Sequence, residues 1–464
     1  MTEFLESLKA IVGPRGWKTD AHDLQPYLTE WRGVVVGRAP MMVAPATTEE
    51  VAAVVQACSD ACVGIVPQGG NTSLCAGAVP DDSGEQIVLS LERLNRIREL
   101  DALNYSIEVE AGCVLASIQA AAGDVGLHFP LSLAAEGSCQ IGGNLATNAG
   151  GLNVIRYGTA RALVLGLEVV LADGSVLSNM RSLRKDTAGY DLKQLFIGSE
   201  GTLGIITAAA LKLFPPPGEV TTALIALRES GDAVRLLDKL RTALADRIEA
   251  FELVSGPIFG LVERHIPGAR LPFSAPHPWY VLMQVATDGK QEVLENALLS
   301  ESAAELIVDA VIAKNAGEAN QLWHLRHSIS DAERQHGKGL KHDISVPLSK
   351  MQEFLVRGDA LLADLMPDAQ LLAFGHVGDG NLHYNVQLPG DLAAEQWVEV
   401  GETITLAIYD LVATLGGSFS AEHGVGRSKK RYLERYRGGP ELELMRRLKL
   451  TLDPKNILNP GKVI

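Results

Sequence analysis

Residues 137–151 read GSCQIGGNLATNAGG, five glycines set among small polar side chains. A second stretch, PQGGNTS from Pro67 to Ser73, closes a run that reads as a short strand, and a third, GSEGTLGIIT, spans Gly198 to Thr207. Successive glycines let backbone N–H groups converge on an anion with no Cβ in the way, and Asn and Thr add side-chain donors. The chemistry is that of a phosphate cradle, yet the spacing matches neither the P-loop nor the Rossmann fingerprint. A single cluster of this kind reads as readily as a surface turn. Three within one α/β region point to an extended ligand carrying a pyrophosphate.

Working outward, residues 1–36 read as a helical N-terminal arm. Thr47-Thr48-Glu49-Glu50 resembles a capping box ahead of VAAVVQACSDA, which reads as a helix. IVLSL and SIEVEAGC read as strands, VLASIQAAAGDVG as a helix ending on glycine, and LGLEVVLADGSVLS as a hairpin turning at Asp173-Gly174. The run Pro215-Pro216-Pro217-Gly218 marks a domain boundary. Beyond it, amphipathic helices alternate with strands such as YVLMQVAT and LLAFGHVG, the pattern of an antiparallel sheet covered by helices. The tail LDPKNILNPGKVI is expected to pack back on an earlier domain. The expected division is 1–36, 37–216, 217–420 and 421–464, in an α+β chain.

The 464 residues are too many for one ordinary core. A hydrophobic content of 47% with 21% charged residues belongs to a globular protein. The net charge of −15 argues against nucleic acid or an anionic membrane as partner, and it requires a local cationic site for any anionic substrate. No apolar run approaches the length of a membrane span, and MTEFLESLKAIVGP lacks the layout of a signal peptide, so a cytoplasmic location is expected. The five cysteines form no C-x-x-C pair, which argues against iron–sulfur ligation and a disulfide framework.

FGHVGDGNLHYN, Phe374 to Asn385, sets His376 and His383 on either side of a turn tetrad, and SAEHGVG brings Glu422 and His423 about forty residues later. On a straight strand residues seven apart face opposite sides, but a bend at Gly378–Gly380 can turn both rings to one point. Two histidines and one glutamate form the ligand set of an open catalytic zinc site, and manganese or cobalt can take the same ligands. A lone histidine is more often structural. Asp379 reads as a turn former rather than a ligand. In QLWHLRHSISDAERQ, read as one helix, Leu322, Leu325 and Ile329 form an apolar stripe bordered by Arg326 and Ser330. A part-buried Arg needs an anion. Lys341 follows before the strand-like DISVP.

PQGGNTS, IGGNLATNAGG and GSEGTLGIIT together resemble the FAD-linked D-2-hydroxyacid dehydrogenases of the vanillyl-alcohol oxidase superfamily, among them the D-lactate and D-2-hydroxyglutarate dehydrogenases. The resemblance implies a two-subdomain PCMH-type FAD-binding domain, an antiparallel-sheet substrate (cap) domain and a C-terminal segment returning to the FAD domain. Carried over, the FAD contacts are Gln68, Gly69, Gly70, Asn71, Thr72, Ser73, Gly137, Ser138, Ile141, Gly142, Gly143, Asn144, Thr147, Asn148, Gly150, Gly151, Ile206 and Asn459. The first loop has no histidine, so the FAD is expected to be non-covalent. The resemblance also implies that His376, His383 and Glu422 hold Zn2+ or another divalent metal and that His423 is the base. Arg326, Ser330, Lys341 and Asn385 would then bind substrate, with Ser330 standing where the family commonly has Thr.

The implied reaction is oxidation of a D-2-hydroxy dicarboxylate to the 2-oxo acid, with hydride passing to flavin N5. D-lactate, glycolate or D-malate are alternative substrates on the same fold. A non-redox transferase of the alkyl-transferring kind and a flavin-free metal hydrolase are rivals of other classes. No iron–sulfur or haem motif is present, so the electrons go to an external acceptor: an electron-transfer flavoprotein, a quinone or a cytochrome. The family also suggests a homodimer.

Overall fold

The computed structural model describes residues 2–464. The chain divides into two compact units. The first comprises Met1–Gly150, Gly158–Pro216 and Glu422–Ile464; the second comprises Gly151–Tyr157 and Pro217–Ala421. The main crossing therefore falls inside the proline run, where the missing N–H groups and fixed φ suit neither helix nor central strand.

In the first unit, a four-stranded sheet runs in the order Trp17–Lys18, Met42–Val43, Ile87–Ser90, Ile65–Gln68, with the last three strands parallel. Parallel strands are covered on both faces, and IVLS at 87–90 is accordingly buried throughout. The helix Thr48–Ala61 starts where Thr47 Oγ1 accepts the Glu50 N–H at 3.2 Å, while Glu50 reaches back to the Ala46 N–H at 2.7 Å. Its Val51, Val54, Val55 and Cys58 recur at helical spacing and pack with Leu8 and Val12 of the helix Thr2–Val12. The N-terminal helix thus contributes to the core. The end of the chain contributes too: Leu458 bridges Ile65 in parallel, with Ile65 N donating to Ile457 O at 2.7 Å.

A five-stranded antiparallel sheet completes this unit, in the order Ile97–Asp101, Ser106–Glu110, Ile205–Lys212, Val164–Val170, Val176–Asn179. Gly174, at φ +79°, takes the left-handed position in the expected hairpin turn.

The second unit is built on an eight-stranded antiparallel sheet in the order Ile307–Ile312, Val220–Leu227, Trp279–Ala286, Ile248–Ser255, Gln370–Gly375, Asn381–Gln387, Gly339–Leu340, with Asp343–Ser345 also pairing with Asn381–Gln387. Among its helices, Gly231–Leu244, Gly256–His265, Leu348–Leu365 and Ala394–Thr414 are each buried on one side. The sequence suggested one helix around Arg326. The structure has two, Ala316–His327 and Ile329–His336, parted at Ser328. Leu322, Leu325, Ile329 and Ala332 all stay in the core across that break.

Candidate active site

The three glycine loops meet within the first unit. A Cβ on Gly70 would stand 2.2 Å from Ser138 O, and one on Gly69 3.4 Å from Gln140 Cβ, so the first loop lies against the second at a distance only glycine permits. Gly142 donates to Ala111 O at 2.7 Å and has no room for a side chain. The third loop is tied to the second by Gly198 N–H donating to Leu145 O at 3.0 Å and Glu200 N–H donating to Ala146 O at 2.8 Å. Asn459 joins them, its Nδ2 donating to Gly77 O and Glu200 O. Ile206 is buried in its strand.

Some expected contacts are engaged elsewhere. Gln68 Nε2 donates to Tyr27 O and Ala78 O, and Asn71 Nδ2 to Pro26 O and Thr29 O, so these side chains prop the first loop against the N-terminal helices. Asn71 and Asn148 hold φ near +52°, and Asn148 Oδ1 accepts the Arg161 N–H. Ser73 Oγ accepts the Cys75 N–H, Ser138 Oγ donates to Ala135 O, and Thr147 Oγ1 donates back to Gly143 O. Thr72 and Ile141 flank the loops, and Gly151 opens the segment that belongs to the second unit.

These loops fit a dinucleotide cofactor on their own geometry. Cβ atoms built on Gly137 and Gly143 would meet nothing within 4 Å, which leaves open space beside tightly apposed backbone. The buried Gln140 Oε1, Asn144 Oδ1 and Asn459 Oδ1 have no hydrogen-bond partner.

In the second unit, the antiparallel strands Gln370–Gly375 and Asn381–Gln387 are joined by the turn 376–380. Asp379 Oδ1 accepts the Asn381 N–H at 3.1 Å, the turn-forming role read from sequence. Gly380, at φ +89°, allows the bend. The rings of His376 and His383 come to 5.7 Å between centroids. Behind His376 stands Glu252, fully buried on the strand Ile248–Ser255, with Oε1 2.6 Å from His376 Nδ1. A carboxylate accepts, so Nδ1 carries the proton and Nε2 carries the ring's lone pair.

Glu422 and His423 follow Ala421 directly, and Ala421 N–H donates to Asp343 Oδ2 at 3.1 Å. His376 and His383 stand together on the second unit, while Glu422 and His423 open the closing segment of the first. Two histidines and a glutamate, His376, His383 and Glu422, have the donor chemistry of an open divalent-metal site. Gly150 leaves room for Glu422, since a Cβ there would stand 2.5 Å from Glu422 Oε1.

Arg326 is buried, its Nε and Nη2 donating to Glu252 Oε2 at 2.8 and 2.7 Å, and its guanidinium lies 4.9 Å from the Phe374 ring centre. Burial alone would raise the Glu252 pKa; His376 and Arg326 outweigh it and hold the carboxyl down at about 2. Lys341 Nζ lies 2.5 Å from Glu333 Oε2, and Asn385 Nδ2 donates to Glu333 Oε1 at 2.9 Å. Ser330 is exposed, just past the break at Ser328. Sequence reading missed Glu252, Glu333 and Asp343. The one available signal was an isolated acid inside an apolar run, as in AFELVS.

Residues 216–463 match the family of FAD linked oxidases, C-terminal domain, and residues 39–178 match an FAD binding domain. The chain is 39% identical to a D-2-hydroxyglutarate dehydrogenase of Xanthomonas citri pv. viticola, over 98% of this chain and 96% of that one. It is also 39% identical to a mitochondrial D-2-hydroxyglutarate dehydrogenase of Bos taurus, over 99% of this chain and 83% of that one. Among solved structures, p-cresol methylhydroxylase with substrate bound superposes with a TM-score of 0.79 at 17% identity, over 100% of this chain and 96% of that one. An alkyldihydroxyacetonephosphate synthase superposes with a TM-score of 0.72 at 19% identity, over 99% of this chain and 84% of that one. These two share the fold, which is PCMH-type. No helix among the described residues is long and apolar enough to cross a membrane.

Proposed function

This chain belongs to the FAD-linked oxidase family that holds the D-2-hydroxyglutarate dehydrogenases, and from that premise we propose that it oxidises D-2-hydroxyglutarate, or a similar D-2-hydroxy dicarboxylate, to the 2-oxo acid. It is an FAD-linked oxidoreductase acting on a CH–OH group. The observation that carries the substrate reading is the buried chain Arg326–Glu252–His376, which ties an anion-binding group to a metal-ligand group.

Bound FAD would supply the hydride acceptor, and His376, His383 and Glu422 would hold a divalent cation that would supply Lewis acidity. Arg326, Ser330, Lys341 and Asn385 bind and orient the substrate carboxylates. His423 takes the hydroxyl proton on its imidazole, a group whose ordinary pKa suits the task. The proton on His423 and the hydride leaving C2 together account for the two electrons and two hydrogens lost. The reading also includes dissociable FAD, zinc, manganese or cobalt as the cation, an external electron acceptor, a homodimer, a cytoplasmic location, and the four-part division at 36, 216 and 420.

The test is anaerobic bleaching of the flavin band near 450 nm by candidate acids, before and after chelator treatment. D-2-hydroxyglutarate should bleach it fastest, the chelator should stop bleaching without releasing flavin, and His423→Ala should abolish bleaching with FAD retained. Wild-type bleaching by His423→Ala would remove it as the base; chelator-indifferent bleaching would remove the metal. A monocarboxylate such as D-lactate, or glycolate, is the second reading. It is favoured by the pairing of both cations with buried glutamates, Arg326 with Glu252 and Lys341 with Glu333, which lowers the positive charge offered to a second carboxylate.

A further inference from the structure

We infer that Glu252 is the positioning residue of this site, one buried carboxylate that selects the nitrogen His376 presents and clamps the Arg326 fork. The inference rests on the reading that His376 is a metal ligand.

Glu252 sits on the strand Ile248–Ser255, every residue of which is buried, between the strands Trp279–Ala286 and Gln370–Gly375. A carboxylate there is tolerated only with donors on it. It has three: His376 Nδ1 on Oε1, and Arg326 Nε and Nη2 on Oε2. His376 is thereby fixed by a 2.6 Å bond to this carboxylate. Arg326 has one edge of its guanidinium committed to Glu252 and a face against Phe374, which leaves the Nη1 edge to meet an anion. Phe374 is itself paired to Val254 across the sheet. The cation side and the anion side thus share one rigid acceptor, and loss of Glu252 disturbs both while loss of Arg326 disturbs one.

The experiment uses the FAD-loaded chain and titrates Zn2+ against a chromophoric chelator, for wild type, Glu252→Gln, Arg326→Gln, the double variant Glu252→Gln with Arg326→Gln, and His376→Ala. Glu252→Gln should weaken Zn2+ by about 10–100-fold, the range for loss of an outer-shell partner. The double variant, which removes both buried charges together and so guards against a folding failure, should be as weak. Arg326→Gln alone should keep wild-type Zn2+ affinity and raise KM for the acid. Wild-type Zn2+ affinity in the double variant would overturn the inference, since Glu252 would then serve only to neutralise Arg326. If His376→Ala loses Zn2+ while the Glu252 variants keep it, this inference falls and the metal reading stands. If wild type itself takes no Zn2+, both fall.

Discussion

Gly143→Ala should stabilise the empty protein and weaken its hold on FAD, two effects of opposite sign from one methyl group. Gly143 lies in the helix Ile141–Ala146, and a Cβ there meets no heavy atom within 4 Å. Without cofactor the methyl clashes with nothing. Replacing a helical glycine by alanine then gains about 0.5–1 kcal/mol, mostly by narrowing the unfolded ensemble. With cofactor bound, the same methyl fills space beside Gly69, whose own Cβ position is 3.6 Å from Gly143 N. Overpacking of that kind costs about 1–3 kcal/mol, or about 5–150-fold in FAD dissociation constant. Urea unfolding of the apoprotein measures the first effect and quenching of flavin fluorescence on titration measures the second. Gly70→Ala is the control, because its Cβ would stand 2.2 Å from Ser138 O and force the loops apart even when empty. It should lose both stability and FAD. Wild-type FAD affinity in Gly143→Ala, or a destabilised apoprotein, would refute the assignment of this face to the cofactor.

Lys341→Met should raise KM for a dicarboxylate by about 10–150-fold, the worth of a charge-assisted hydrogen bond, with a smaller rise for D-lactate; equal rises for both acids, measured by steady-state assay, would count against Lys341 at the distal carboxylate. Gly150→Ala pushes on Glu422 Oε1, which would stand 2.5 Å from the new Cβ, so it should lower metal affinity in a chelator competition with little loss of fold stability. Lys462 is buried with no partner on Nζ, and burial pulls its pKa from 10.5 down to about 8. That gap means the unfolded chain binds the proton more tightly, so the ammonium costs about 3 kcal/mol of stability below pH 8. The cost fades as pH rises through 8 to 10.5. Lys462→Met should therefore be more stable than wild type at pH 7 and equal to it near pH 11, by urea unfolding at both pH values.

The glycine loops were legible because close backbone approach admits no other residue: Gly70 against Ser138 and Gly142 against Ala111 are demands that sequence carries openly. The histidine cluster was legible by ligand type, and the proline run by what it forbids. The acids behind the site were not. Glu252 meets His376 across 124 residues and Glu333 meets Asn385 across 52. Local pattern holds no record of such pairings. Nor did the sequence around Arg326 announce the break at Ser328, because the apolar stripe continues through it. Arg326 and Lys341 read in sequence as cations awaiting a substrate anion, and the glutamates that balance them come from distant segments of the second unit.

The bridge between Leu458 and Ile65 has a consequence for the order in which the molecule is made. On a ribosome adding about 5–20 residues per second, the partner for that strand edge emerges roughly 20–80 seconds after the strand itself. Until then the first unit carries an uncovered β edge, and the whole second unit is synthesised in the interval. Asn459 arrives last of the residues that bind the loops together, so the cofactor cradle is complete only once it has been added. A chaperone that shields strand edges would find its client in that window.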